Sequence, residues 1–488
     1  MFHISDCKKY TRCPHLFLYE QEDEKHVYQS YVRIDEPVSE LAMKKLGVTN
    51  HFLGKQSDDP SLAMRALYEY DWLVKARFEY KNLRIKVPFL HRNGDGWDLY
   101  FMYIGLYPHV DDIQYYCDMV WVLEGLHIKI KQMYMIHLNK EYQREEQLDP
   151  NQLFTISTCF YNDKDNPSGD LKQTVYDNMH DITFLLEEME NCNHVIAGKP
   201  VRKPVCNGRV KCRYYQRCFK EEDQIEDNSI LTLIASQHKR KMYQAGRKYL
   251  KDADENLIEG LPQQYAQIQA DYNGGLFVDQ NSLKNWLSCL QYPITCIDFE
   301  WDRFAIPPYK GMHPYDVVPF EYSLYIMHAD GHIDHQVYIN VHDDREDIAQ
   351  SLITSIPKNG SVLAYNAEGA EKIRIQELAD LFPAYAKDLL QINARMEDLQ
   401  LPFSQGVVYD VRMRGQWSLK TIMAMMDDEG YNSLSIQQGM DAVFAWRNLD
   451  KNMDDVDIEK SIADLKAYCG MDTYAMTVVL KWLFTLVE

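Results

Sequence analysis

The stretch Pro293-Ile-Thr-Cys-Ile-Asp-Phe-Glu300 most narrows what this chain can fold into. It is apolar and β-favouring up to Asp298, which reads as a buried strand. Side chains two apart on a strand share a face, so Asp298 and Glu300 stand together at its C-terminal edge. Carboxylates held that close repel, and one pKa rises unless a cation lies between them. Oxygen ligands of this kind suit Mg²⁺ or Mn²⁺. The same pair also reads as two acids at a solvated strand end, so the rest of the chain has to choose.

Beyond Glu300 the chain alternates strands and helices. A Pro-rich loop through Pro307, Pro308 and Pro314 leads to strands Tyr322–His328 and His335–Val341, which turn at Asp330-Gly331. A helix over Arg345–Ser355 and a strand over Ser361–Tyr365 come next, and residues after Ala370 read as mostly helical, ending in Ile458–Leu486. Three early antiparallel strands, a helix, another strand and then helices fit an α/β domain of ribonuclease H type over residues 286–488.

Further acids fall along this stretch in a usable order. Glu371, or less readily Glu368, lies where strand gives way to helix in Tyr365-Asn-Ala-Glu-Gly-Ala-Glu371. Tyr468 and Asp472, four apart on the last helix, share a face. Asp398 is an extra acid with no assigned place.

Residues 1–220 read as a separate α/β module. A short capped helix runs into Cys13-Pro14, helical periodicity covers Glu40 to Lys75, and Asn93-Gly-Asp-Gly-Trp97 is a hairpin turn between Ile85–Leu90 and Trp97–Ile104. A helix over Asp112–Gly125 and a strand over Lys131–Leu138 come after it. Residues 221–285 read as a helical connector closed by Asn273-Gly-Gly275, with a basic run at His238-Lys-Arg-Lys241.

Charge limits the partners. A net charge of −21 repels nucleic acid at long range, so a nucleic-acid partner requires a local basic surface. Lys199, Arg202, Lys203, Arg209, Lys211, Arg213, Arg217 and Lys220 fall in one segment without an acid, which reads either as a phosphate-facing surface or as a solvated loop. No apolar run is long enough to cross a bilayer and no signal-peptide pattern is present, so no membrane partner and a cytoplasmic location are expected. The eleven cysteines then read as thiols or metal ligands rather than a disulfide framework. Cys206, Cys212 and Cys218 recur at even spacing with Cys13 far upstream, which suits zinc, an iron–sulfur cluster or three buried structural cysteines.

Asp298-Phe-Glu300, Asn366 with Glu371, and Tyr468 with Asp472 resemble the three motifs of the DEDD 3′→5′ exonucleases in their Tyr-containing (DEDDy) branch. Two positions depart from that pattern: Glu371 replaces the usual Asp, and Ala370 the usual aromatic. The resemblance implies that Asp298, Glu300 and Asp472 bind one metal ion. Asp298 with Glu371 would hold a second, and Tyr468 would orient the attacking water. The upstream Cys13 and the late cysteine triad resemble the RecB-like, CRISPR-associated nucleases of the PD-(D/E)XK superfamily, in which four such cysteines hold a [4Fe–4S] cluster. Their catalytic Asp, Glu and Lys fall here on Pro88, Phe101 and Tyr103, so this module resembles a degenerate nuclease. The whole arrangement resembles a bacterial family that fuses a RecB-like module to a DEDDy-like domain. His137-Leu-Asn-Lys-Glu-Tyr142 and Gly415-Gln-Trp-Ser-Leu-Lys420 add to that likeness. Lys420 reads as a phosphate contact or a surface lysine.

These readings predict a metal-dependent 3′→5′ exonuclease acting on DNA or RNA. The alternative is a catalytically inactive nucleic-acid-binding protein built from two nuclease folds. A third reading keeps cleavage in the first module through Asp111, Asp112 and Asp118.

Overall fold

The computed structural model describes residues 1–23, 32–34, 37–206, 211–220, 225–341, 345–426, 430–449 and 455–488. The chain is mixed α/β and divides into two compact units. One comprises Met1–Asp223 with Arg303–Asp316; the other comprises Gln224–Asp302 with Val317–Glu488. The expected connector therefore belongs to the second unit, where Ile230, Leu233, Met242 and Leu250 form a small core of their own. The Pro-rich loop belongs to the first.

The first unit is built on a seven-stranded sheet. Trp72–Tyr80, Leu83–Asn93 and Gly96–Met102 form an antiparallel meander. Gly94, at φ +60°, makes the expected turn. Helix Ile113–Gly125 then leads to Ile130–Leu138, parallel to Gly96–Met102. Phe78, Ile85, Leu99 and Met133 pack with that helix on one face, and Trp72, Val74, Phe89 and Ile136 pack with Leu41, Ala42, Ala305 and Ile306 on the other. The helix expected between Glu40 and Lys75 is two, Val38–Leu46 and Pro60–Glu69, separated by strand His51–Leu53. Gly47 stops the first in the left-handed region, and Asp59 caps the second ahead of Pro60.

In the second unit the central sheet comprises β1 (Ile294–Arg303), β2 (Val317–Met327), β3 (Ile333–Ile339), β4 (Val362–Ala364) and β5 (Met396–Asp398). Their spatial order is β3-β2-β1-β4-β5. β2 and β3 are antiparallel, whereas β1, β4 and β5 are parallel. β5 lies within the stretch read as mostly helical, because three residues give no measurable period and their strand state comes from pairing with β4.

Side-chain alternation along β1 decides the site. Ile297 and Phe299 enter a core with α1 (Arg345–Ser355), α2 (Glu371–Leu381) and α3 (Ala386–Asn393). Ile294 and Cys296 enter the opposite core, against Ala475, Met476, Val479 and Leu480 of the long C-terminal helix Asp455–Thr485. Asp298, Glu300 and Asp302 continue the second set, so the strand directs its acids to the side of that helix.

Candidate functional site

Among the described residues, Asp298, Glu300 and Asp472 form a set that could hold a metal ion, with one carboxylate oxygen from each lying within 4.8 Å of the others. Asp298 is half-buried; Glu300 and Asp472 are buried. Asp298 and Glu300 are held well above the usual carboxylate range, by burial first and then by the charge of Asp472. Asp472 is pushed up to about 6 by burial, offset by the Tyr431 hydroxyl and the Lys420 ammonium. At such spacing each ionised pair repels by roughly 3–4 kcal/mol at an effective dielectric of about 20. Three such pairs approach the ~5–15 kcal/mol stability of a whole domain, so protons or a cation must neutralise the set. The reading of Asp298 and Glu300 as freely solvated acids is set aside.

Glu371 opens α2 and is buried, with Oε2 lacking a hydrogen-bond partner. Burial pushes its carboxyl up to about 8, with Asp398 and Asp472 adding to the rise and Arg374 opposing it. It feels the cluster but does not join the set of three. Glu368 is exposed and pairs with Lys372. Asp398 is engaged by the backbone, its Oδ1 accepting from the amides of Asn366 and Gln400 at 2.9 and 2.8 Å. The first of those bonds helps hold Asn366 at φ 66°, the sharp bend that turns β4 toward α2.

Tyr468 is buried one helical turn before Asp472. Lys420, in α4 (Leu419–Met423), donates to the Tyr468 hydroxyl at 3.0 Å and to the Gln437 carbonyl at 2.5 Å. Its ammonium also stands 4.9 Å and 4.8 Å from the ring centres of Tyr431 and Tyr468. Lys420 is therefore built into the site.

Several participants carry no motif that the sequence reveals. Tyr431 donates to Asp472 Oδ1 at 2.5 Å, from the single 3-10 turn Tyr431–Ser433, which no sequence pattern marks. Arg447, in α5 (Gly439–Asn448), grips the buried Asp302 through two bonds of 2.8 and 2.6 Å. Glu321 is fully buried on β2 with neither carboxylate oxygen hydrogen-bonded, and burial raises it to about 8. A lone acid inside the apolar run Val317-Val-Pro-Phe-Glu-Tyr-Ser-Leu324 is the visible signal for it.

In the first unit, Phe101 is buried in the sheet core, Pro88 lies half-buried in strand Leu83–Asn93, and Tyr103 follows the next strand. None of the three offers a metal ligand. Asp111 and Asp112 sit exposed at a helix start, and Lys8 pairs with Asp112. Asp118 is buried on helix Ile113–Gly125, where Gln114 donates to it at 2.7 Å. These acids are not gathered into a metal-binding set among the described residues.

Cys13, Cys206, Cys212 and Cys218 line one cleft with His15 and Tyr214. Burial raises the Cys218 thiol, and charges on Cys13, Cys212 and Cys206 raise it further. The Lys203 amide donates to Cys206 Sγ at 3.4 Å. Part of the basic segment around them is taken up internally. Arg217 pairs with Glu22 at 2.6 Å, Arg213 with Asp23 at 3.5 Å, and Arg202 and Lys211 stack on Tyr215. Arg209 lies outside the described residues.

Residues 295–418 match the family model of a domain of unknown function, DUF2779. The match spans Asp298, Glu300, Glu371 and Asp398 and stops short of Lys420, Tyr468 and Asp472. Comparison with curated proteins and with solved structures returned no match. No helix among the described residues is long and apolar enough to cross a membrane.

Proposed function

We propose that the second unit is a metal-dependent 3′→5′ exonuclease on DNA or RNA. The observation that carries this reading is the carboxylate set Asp298, Glu300 and Asp472, whose mutual repulsion a divalent cation would relieve. The unpartnered Oε2 of Glu371 and the β3-β2-β1-β4-β5 order, compatible with a ribonuclease H-type sheet, support it. Asp298, Glu300 and Asp472 would hold one Mg²⁺ or Mn²⁺ ion, and Asp298 with Glu371 a second.

When bound, such ions neutralise charge on the phosphoryl oxygens as the phosphodiester is cleaved. The chain's own groups do the positioning. The Tyr468 hydroxyl accepts from Lys420, and its own hydrogen bonding favours the ionised Asp472; beside that carboxylate it would orient a water. Its pKa, raised by burial and by Asp472 and Glu300, keeps it protonated at neutral pH, so it acts by hydrogen bonding rather than as a base. Tyr431 fixes the Asp472 carboxylate. In the first unit the four cysteines offer soft donors suited to a [4Fe–4S] cluster, with zinc as the rival.

End-labelled DNA and RNA incubated with Mg²⁺ or Mn²⁺, with and without chelator, test the activity. Stepwise shortening from the 3′ end that disappears in Asp298→Asn is expected. Glu371 lies outside the set of three, which favours the inactive binding protein as the second reading. Tight binding without shortening, unchanged by Asp298→Asn, would establish that one instead. A brown preparation absorbing near roughly 400 nm identifies iron and excludes zinc alone.

A further inference from the structure

The second face of the first unit's sheet carries an arrangement that folding alone disfavours. Ala76 and Val87 face each other across the ladder and enter the first core. Alternation then sends the next facing pair, Arg77 and Lys86, to the opposite side. Like charges directly opposed on an antiparallel ladder destabilise it. Lys75, at φ +53°, lies beside them in a local irregularity of the strand. Lys86 is exposed, and Lys75 and Arg77 are half-exposed. Arg77 donates to the Lys55 carbonyl at 3.3 Å, a bond that leaves its charge in place. None of the three forms an ion pair among the described residues.

Two steps along, the same ladder does the opposite: Glu79 faces Arg84. Arg84 is further occupied by the Asp58 carbonyl. The chain has 73 acids against 52 bases, so carboxylates are plentiful, yet among the described residues none pairs with Arg77 or Lys86. Lys86 is held below its ordinary value by its packed surroundings and then by Arg77 and Lys75. Arg77 is lowered in the same way, with Arg84 adding to the effect and Asp58 opposing it. In the basic segment at Lys199–Lys220, Arg213 and Arg217 are paired with Asp23 and Glu22, whereas Arg77 and Lys86 face each other without a carboxylate.

We infer that Lys75, Arg77 and Lys86 form a binding site for the phosphate backbone of a nucleic acid. Arg77 and Lys86 stand about 4.8 Å apart across the sheet, and Lys75 lies two residues before Arg77 in the chain, so the three charges extend beyond a single facing pair. The neighbouring carboxylates Asp58 and Glu79 fix its limits. This site is separate from the carboxylate cluster and does not depend on that cluster being catalytic.

The test is fluorescence anisotropy of the full chain with labelled single-stranded DNA and RNA, in chelator, over a salt series. The double variant Arg77→Gln/Lys86→Gln is expected to bind at least ~10-fold more weakly, with the log–log salt slope reduced by about 1–2. Removing the repulsion should leave its thermal stability equal or higher. The charge-conserving pair Arg77→Lys/Lys86→Arg should retain binding, which separates charge from fold. Absence of binding by the natural chain, or equal affinity and slope in the double variant, would overturn the inference. Asp298→Asn, which should abolish cleavage, is expected to leave this binding intact, so the two readings fail separately.

Discussion

The Lys420 ammonium donates to the Tyr468 hydroxyl at 3.0 Å and stands over both the Tyr468 and Tyr431 rings. Its charge also lowers the pKa values of Glu300 and Asp472, so one cation holds the tyrosine and partly offsets the acids. Lys420→Met should reduce kcat about 100-fold, the cost typical of losing one well-placed donor in a water-poor site. KM should change less. Steady-state kinetics on a labelled oligonucleotide, with a melting curve of the variant, check this; unchanged kcat would remove Lys420 from the site's chemistry.

Divalent metal should stabilise the second unit. A ligand that binds only the folded chain adds about 2.7 kcal/mol at roughly a hundred times its Kd. Mn²⁺ titration followed by thermal melting should raise Tm in the natural chain, and far less in Asp298→Asn or Asp472→Asn. An equal rise in all three would mean that the ion binds elsewhere.

The Asp302–Arg447 pair makes a structural prediction. Asp302 is buried, and Arg447 meets both its oxygens. Arg447→Met leaves a buried carboxylate without that partner and should destabilise the unit by about 3–5 kcal/mol. Adding Asp302→Asn should recover a substantial part. Chemical denaturation of the two variants decides it.

Asp118 predicts a pH dependence for the first unit. Burial raises its carboxyl from the ordinary 3.8 to about 6, with Gln114 and His180 opposing. Its folded-state pKa lies above the unfolded one, so the group imposes no penalty below about pH 4. The penalty develops as pH rises from about 4 toward about 6 and is complete above that, at roughly 3 kcal/mol. Asp118→Asn should therefore raise Tm at alkaline pH, and the gain should vanish once the pH falls below the unfolded-state value.

Local pattern in the chain already determined the strand that carries Asp298 and Glu300, though it runs on to Arg303, the turn at Gly94 and the shared helical face of Tyr468 and Asp472. Each rests on a period or a backbone preference within a few residues. Pairing and packing decided the rest. β5 is a strand only because it lies beside β4, and residues 303–316 join the first unit through contacts distant in sequence. Asp398 serves backbone amides, and Lys420 reaches Tyr468 across 48 positions. Whether a charge is neutralised also depends on distant partners: Arg217 meets Glu22, while Arg77 meets Lys86. The sequence therefore determined which acids could gather, and only the tertiary structure decided which of them share a site, because repulsion and burial act through distance in space.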